Sequence, residues 1–239
     1  MSTACATFDT TKDLILAAPL PLQTRTYKPI SHQQLIDLTL EGIEKAGFVL
    51  ERELYSSARD GQIANGRYHL KYGDDPEMGL MIGWQNSYDK SLSLKFAIGA
   101  YMHICANGSV CGDIGAFRKK HQGEIQTFTP ETITAYIAQA GDIYDKLVRD
   151  KEALKRISVD LRKASEIVGR LYIQEDCISS TQINIVKREI KNPTYDYGCS
   201  GSAWELYNHC TLAAKESHPT RWFTTHMKIH ELFTQEFGL

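Results

Sequence analysis

The sequence predicts an α+β fold: one N-terminal helix, an antiparallel meander of about four to five strands, then a C-terminal run of helices. Three observations carry that expectation. Apolar residues recur at helical spacing from Leu35 to Ile43, the period changes to two between Phe48 and about Phe117, and it returns to helical beyond Thr129. Strands and helices are therefore segregated, which argues against an alternating α/β chain.

Residues 1–29 read as an extended arm, because Pro19, Pro21 and Pro29 interrupt any long helix. Residues 30–128 read as a helix plus sheet core, and 129–239 as a helical region packed on that sheet. Ser31 stands three residues before Gln34, the spacing of a capping box, and Gly47 ends the helix that Ser31 opens. Tyr68, Leu70 and Tyr72 alternate with Arg67, His69 and Lys71, which is a strand with an apolar and a basic face. Met78 to Gln85 is a second strand. Leu92 to Cys105 alternates for longer than a usual strand, so a bend is expected, with Gly99 as its pivot. Asn107-Gly108 is the best hairpin turn, and Val110 onward would return antiparallel. Thr129-Pro130-Glu131 supplies a cap, a first-turn proline and a first-turn acid. Further helices are expected from Ser158, Ser179, Ser202 and around Pro219, with linkers at Asn192-Pro193 and Tyr197 to Gly201.

The chain has 239 residues, 42% hydrophobic and 23% charged, which is the balance of an ordinary globular protein. No apolar run approaches the roughly 20 residues of a membrane span. Lys12, Asp13 and Pro19 spoil the only candidate for a secretory signal. Six cysteines without a CxxC pair suit reduced thiols in a cytoplasmic protein, expected here in a bacterial host cell. A net charge of −2 excludes nucleic-acid binding by global positive charge and leaves room for a local basic groove.

No pattern in the chain supports chemistry on a substrate. There is no GxSxG, no phosphate-binding glycine loop and no dinucleotide fingerprint. Asp74-Asp75 precedes Pro76 in an expected solvated turn. His226 and His230 are four apart and Glu231 adjoins them, but Met227 breaks the HExxH pattern. His103, Cys105, Cys111 and His209-Cys210 fix no four-ligand site. The expectation is a protein without catalytic residues, cofactor or metal. A metal-dependent enzyme built on His226, His230 and Glu231 stays as a competitor.

The cations of the β region are more informative. Arg59, Arg67, Lys71 and Lys95 lie on or beside the strands, and Arg118-Lys119-Lys120-His121 follows the returning strand. Gathered on one face, Arg59, Arg67, Lys71, Lys95, Arg118, Lys119 and Lys120 would neutralise phosphates, with Tyr55, Tyr88 and Tyr101 as stacking surfaces. Charge on the wet face of a one-sided sheet is the competing explanation. Between Lys146 and Lys163, Lys146–Asp150 and Arg156–Asp160 have the spacing of paired charges on a solvated helix face.

Several stretches resemble one uncharacterised family of phage, prophage and plasmid proteins. They are Arg25-Thr26-Tyr27-Lys28-Pro29-Ile30-Ser31-His32, Gly83-Trp84-Gln85-Asn86-Ser87-Tyr88-Asp89-Lys90-Ser91, Ile104 to Gly108, Arg118 to His121 and Ser202 to Asn208. The resemblance spans about residues 25–215, and Ala106 departs from the acidic residue often found there. The hairpin at Asn107-Gly108, Val110 to Phe117 and the basic segment after it are similar to the core of single-strand annealing recombinases of the Rad type. That similarity implies an oligomer carrying single-stranded DNA beside Arg118, Lys119 and Lys120. The functional expectation is a non-catalytic protein that binds and anneals single-stranded DNA or RNA as a homo-oligomer, without a membrane. The alternative is an interaction module that engages a host or phage protein, as a host-defence antagonist or replication accessory.

Overall fold

The computed structural model describes residues 8–25, 27–104, 108–109, 117–119 and 130–239. Its elements run β1 (Asp9–Thr10), α1 (Lys12–Ala17), α2 (His32–Lys45), β2 (Val49–Ala58), β3 (Ile63–Lys71), β4 (Met78–Ser87) and β5 (Leu94–Met102). Then come β6 (Gly108–Ser109), β7 (Phe117–Lys119), α3 (Pro130–Ile137), α4 (Ala140–Arg156), α5 (Leu161–Ile173), α6 (Ser180–Lys191), α7 (Ala203–Ala214) and α8 (Trp222–Phe237). The fold is α+β. The sheet order is β1-β2-β3-β4-β5-β6, with β7 also on β5 and every described pairing antiparallel.

Side-chain alternation gives the sheet two faces. Ala64, Tyr68, Leu70, Leu80, Ile82, Trp84, Phe96 and Ile98 form the first, which is buried against α2, α3 and α4. The helices are held there by specific contacts. Gly42 of α2 packs on Ile133 and Ile137, the Phe96 ring meets Tyr136 edge-on, and the Tyr144 hydroxyl donates to the Met78 carbonyl at 2.6 Å. One hydrophobic core runs from Ile15 through the sheet to Phe233, so sheet and helices share it. Among the described residues the second face packs mainly on the start of α8, where Met81, Ala97 and Tyr101 meet Trp222, Phe223 and Met227.

Local signals explain most boundaries. Ser31 accepts from Gln34 N, Ser202 accepts from Glu205 N, and Ser179 with Gln182 completes a capping box. Four expectations need correction. The arm of residues 1–29 is not wholly extended: Asp9–Thr10 pairs with β2, and Thr11 caps a six-residue helix that buries Ile15 before Pro19 stops it. The long strand ends early at both sides: Ser87 Oγ holds the Leu92 N–H and carbonyl in a turn before it, and the chain turns at His103-Ile104 after it. Its register from Lys95 to Met102 is unbroken through Gly99, and the irregularity lies in β2 instead, between Leu50 and Arg52. Asp160, not Ser158, caps α5, because Ser158 forms a bridge with Ser202. The Asn107 turn, Val110 to Ala116 and Thr129 lie outside the described residues.

The charged segment of α4 also differs from a wholly solvated face. Lys151 turns inward with a side chain only 2% exposed and meets Asp75 at 2.5 Å and Glu77 at 3.3 Å. Asp75 in turn accepts from Glu77 N and Met78 N, so the Asp74-Asp75 turn docks α4 rather than standing free in solvent. Asp150 is buried as well, and burial raises its carboxyl above the usual range.

Candidate nucleic-acid interface

The Asn-Ser-x-Asp-Lys-Ser stretch at the end of β4 is sealed into the fold. The Tyr88 ring lies flat on His32 at 4.0 Å, and its hydroxyl accepts the His32 backbone N–H at 2.7 Å. His32 Nε2 lies 2.9 Å from the Gly61 carbonyl, and Asn86 donates to Ile30 O. Tyr27 OH reaches the Tyr88 carbonyl, Lys90 sits over the Tyr27 ring, and Asp89 holds Ser91 and Arg59. Burial lowers the His32 imidazole to about 4 against the pull of its Gly61 bond, so it is a neutral strut at pH 7. These residues strap segment 27–32 across the sheet.

A second lock holds α8 to the other face. The Pro219 carbonyl accepts from both Asn65 and Gln85, which lie side by side on β3 and β4. Lys95 Nζ donates to Thr224 at 2.8 Å. Arg67 bonds Asp9 at 3.2 Å, and its guanidinium lies 5.1 Å from the centre of the Trp222 ring. Gly83 leaves room for Phe223, since a Cβ there would stand 2.9 Å from that ring.

Beyond Arg67 the second face changes character. The Tyr101 ring leaves β5, crosses over Gly79 of β4 and stacks flat on His69 of β3, with centroids 3.8 Å apart. Its hydroxyl donates to Glu51 of β2 at 2.6 Å. The ring pair is buried, while Glu51, Arg52, Lys71 and His103 around it are exposed. Glu51 reaches this face because of the irregularity in β2. Leu50 pairs with Leu70 and Arg52 with His69, so Glu51 is the additional residue and joins Arg52 on one side. Burial lowers His69 to about 3, and the neighbouring charges of Arg67, Arg52 and His103 push the same way. Burial and the Glu51 carboxylate raise the Tyr101 phenol. The result is a cation-rich rim around a stacked aromatic pair.

The sequence-predicted residues do not form one track among the described residues. Arg59 pairs with Asp89 in the β2–β3 turn, at the far end of β3 from Lys71. Arg67 is enclosed by Asp9 and Trp222, and Lys95 is spent on Thr224. Lys71 alone of these four is exposed without a described acid partner. Arg118 and Lys119 belong to β7, whose register sets them opposite Lys95 and Leu94, while their side chains and Lys120 lie outside the described residues. Tyr55, Tyr88 and Tyr101 are buried rings, unlike the exposed stacking surfaces expected of them. Arg52, Glu51 and His103 were missed as a group, since only the one-residue irregularity brings the first two together.

His226 and His230 do not share a site with Glu231. His226 is buried against Trp222 at 4.3 Å and burial lowers it to about 3, while Glu231 is exposed on α8. Among the described residues no group of three His, Cys, Asp or Glu is placed to hold a metal ion. Among the same residues no helix is long and apolar enough to cross a membrane. No solved structure matches the chain. A family model described as a domain of unknown function (DUF932) matches residues 19–230, and the chain belongs to that family.

Proposed function

We propose that the protein binds single-stranded nucleic acid on the uncovered end of its second sheet face, and that it anneals strands as an oligomeric protein of a mobile element. The observation that carries this reading is the exposed rim of Arg52, Lys71 and His103 around the stacked His69–Tyr101 pair. Phosphates are drawn to mobile cations, and Arg52 and Lys71 stand exposed beside the buried ring pair. The net charge of −2 is compatible with a local cationic rim, since Lys12–Glu53, Arg59–Asp89 and Lys151–Asp75 are paired elsewhere. No bond is made or broken in this function.

The test is fluorescence anisotropy with a labelled single-stranded oligonucleotide at two salt concentrations. Binding should weaken as salt rises, because neutralised phosphates release counterions. Lys71→Glu should weaken binding about three- to tenfold and flatten the salt slope by about one contact. Arg59→Glu, at the other end of β3, should leave both unchanged. Equal losses in the two variants, or no binding at low salt, overturn the reading.

A further inference from the structure

Among the described residues the lower half of the β2 edge stands open. β1 covers β2 only at Tyr55 and Ser56, with one more bond from Ser57 N to the Phe8 carbonyl, and Thr11 then turns the chain into α1. Among the described residues nothing pairs with the outer edge from Val49 to Leu54. A groove of about 460 Å³ lies there, lined by Asp9, Lys12, Arg52, Glu53, Leu54 and Tyr55 among others. Val49, at its end, is 60% exposed. Such edges accept an added strand unless something blunts them.

We propose that this edge pairs antiparallel with the same edge of a second copy, with Glu51 of each chain opposite Arg52 of the other. Three features select a second copy as the occupant. The first is the irregularity itself. An ordinary strand alternates its side chains without interruption and falls out of register at Glu51–Arg52, whereas a second β2 carries the same interruption at the matching place. The second is face. Directly opposed residues of an antiparallel pair point to one side. Setting Glu51 against Arg52 also sets Leu50 against Glu53 and Val49 against Leu54, and each pair then shares a face because of the additional residue. The third is charge. Glu51 and Arg52 are both exposed, Arg52 has no ion pair among the described residues, and the two-fold operation forms the Glu51–Arg52 contact twice. The backbone agrees. Ser57 N points into the lane, so alternation turns Tyr55 and Glu53 the same way, and beyond the additional residue Leu50. Leu50 and Glu53 can then exchange main-chain hydrogen bonds with Glu53 and Leu50 of the other copy. The paired sheet would present both second faces on one side. This inference stands apart from the nucleic-acid reading.

The experiment is sedimentation velocity on nuclease-treated full-length chain over a range of concentrations. The expected species is twice the 27.0 kDa chain, in equilibrium with monomer. Arg52→Glu puts like charges in both central contacts and should weaken association about tenfold or more. The double exchange Glu51→Arg/Arg52→Glu should restore it. Val49→Asp gives a second route at an already exposed position and should also weaken association, with circular dichroism confirming the fold of each variant. A monomer at every concentration overturns the proposal. So does a dimer that folded Arg52→Glu and Val49→Asp leave intact, or one that the double exchange fails to restore.

Discussion

The two faces of the sheet use one device for different ends. On the first face, Trp84 of β4 lies across Gly66 of β3, its indole N–H donates to Tyr68 OH at 3.0 Å, and the chain continues through Tyr55 to Glu53 of β2. On the second, Tyr101 of β5 lies across Gly79 of β4, stacks on His69 of β3 and ends on Glu51 of β2. In each case a glycine gives passage to an aromatic ring, and the ring ends near a carboxylate of β2. The first assembly is sealed under α2 and by the strap of residues 27–32, with Trp84 and Tyr68 wholly buried. The second lies at the margin of the α8 contact, with Glu51 and Arg52 in solvent. Covering makes the first a scaffold. Leaving the rim open gives the second a surface that can act.

The largest expected effect breaks the first assembly. A Cβ at Gly66 would stand 2.5 Å from the middle of the Trp84 ring, which has nowhere to move. Gly66→Ala should cost about 3 kcal/mol or more in urea unfolding, as overpacking in a filled core does. At Gly79 the overlap is with the far end of the Tyr101 ring, which can swing toward the exposed rim. Gly79→Ala should cost about 1 kcal/mol. Equal costs would show that the second assembly is as tightly enclosed as the first.

Acid provides the next comparison. His32 and His69 titrate near 4 and 3 in the fold, against an ordinary value of 6.5. As the pH falls through 6.5 the unfolded chain takes up protons before the folded one. Stability is therefore complete above that value and is lost progressively toward pH 4 and below. For His32, whose side chain is fully buried, the loss is about 3 kcal/mol. Thermal unfolding from pH 7.5 to 4.5 checks it, and His32→Asn should flatten the curve. The two rings should then part company when an oligonucleotide is added. Phosphate near Arg52 and Lys71 offsets the charges that depress His69, so its imidazole shifts should titrate at higher pH, while those of His32 stay fixed.

Much of this fold was legible in the chain. The alternation at Tyr68–Lys71, the caps at Ser31, Ser179 and Ser202, and the return to helical period after Pro130 each reflect local preferences that tertiary packing did not override. The short helix at Lys12–Ala17 was hidden by the prolines that follow it. The candidate site was much less visible. Charge type can be read from a sequence, but whether Arg67 meets Asp9, or Lys95 meets Thr224, depends on residues up to 129 positions away. Likewise, the Asn86 to Ser91 stretch carries a family resemblance in sequence, and only the fold shows it to be a strap. The grouping of Glu51 with Arg52 rests on one unpaired residue, which has no signature in composition or period.

The smallest effect is the sharpest comparison of the two faces, because it changes one atom in each. Tyr55 OH donates to Glu53 and stands 3.5 Å from the buried Tyr68 hydroxyl, so Tyr55→Phe takes a partner from each. The loss should be about 1 kcal/mol, since Glu53 keeps Lys12 while the buried Tyr68 hydroxyl loses a partner. Tyr101 OH donates to Glu51, which is exposed and can turn to solvent. Tyr101→Phe should cost no more than about 0.5 kcal/mol, because water replaces the lost donor. It also frees the Glu51 carboxylate, which in a paired β2 edge lies opposite Arg52 of the other copy. The variant should therefore leave association unchanged or slightly stronger while stability falls a little. Weaker association in Tyr101→Phe would mean that the ring, by fixing Glu51, sets the shape of the edge.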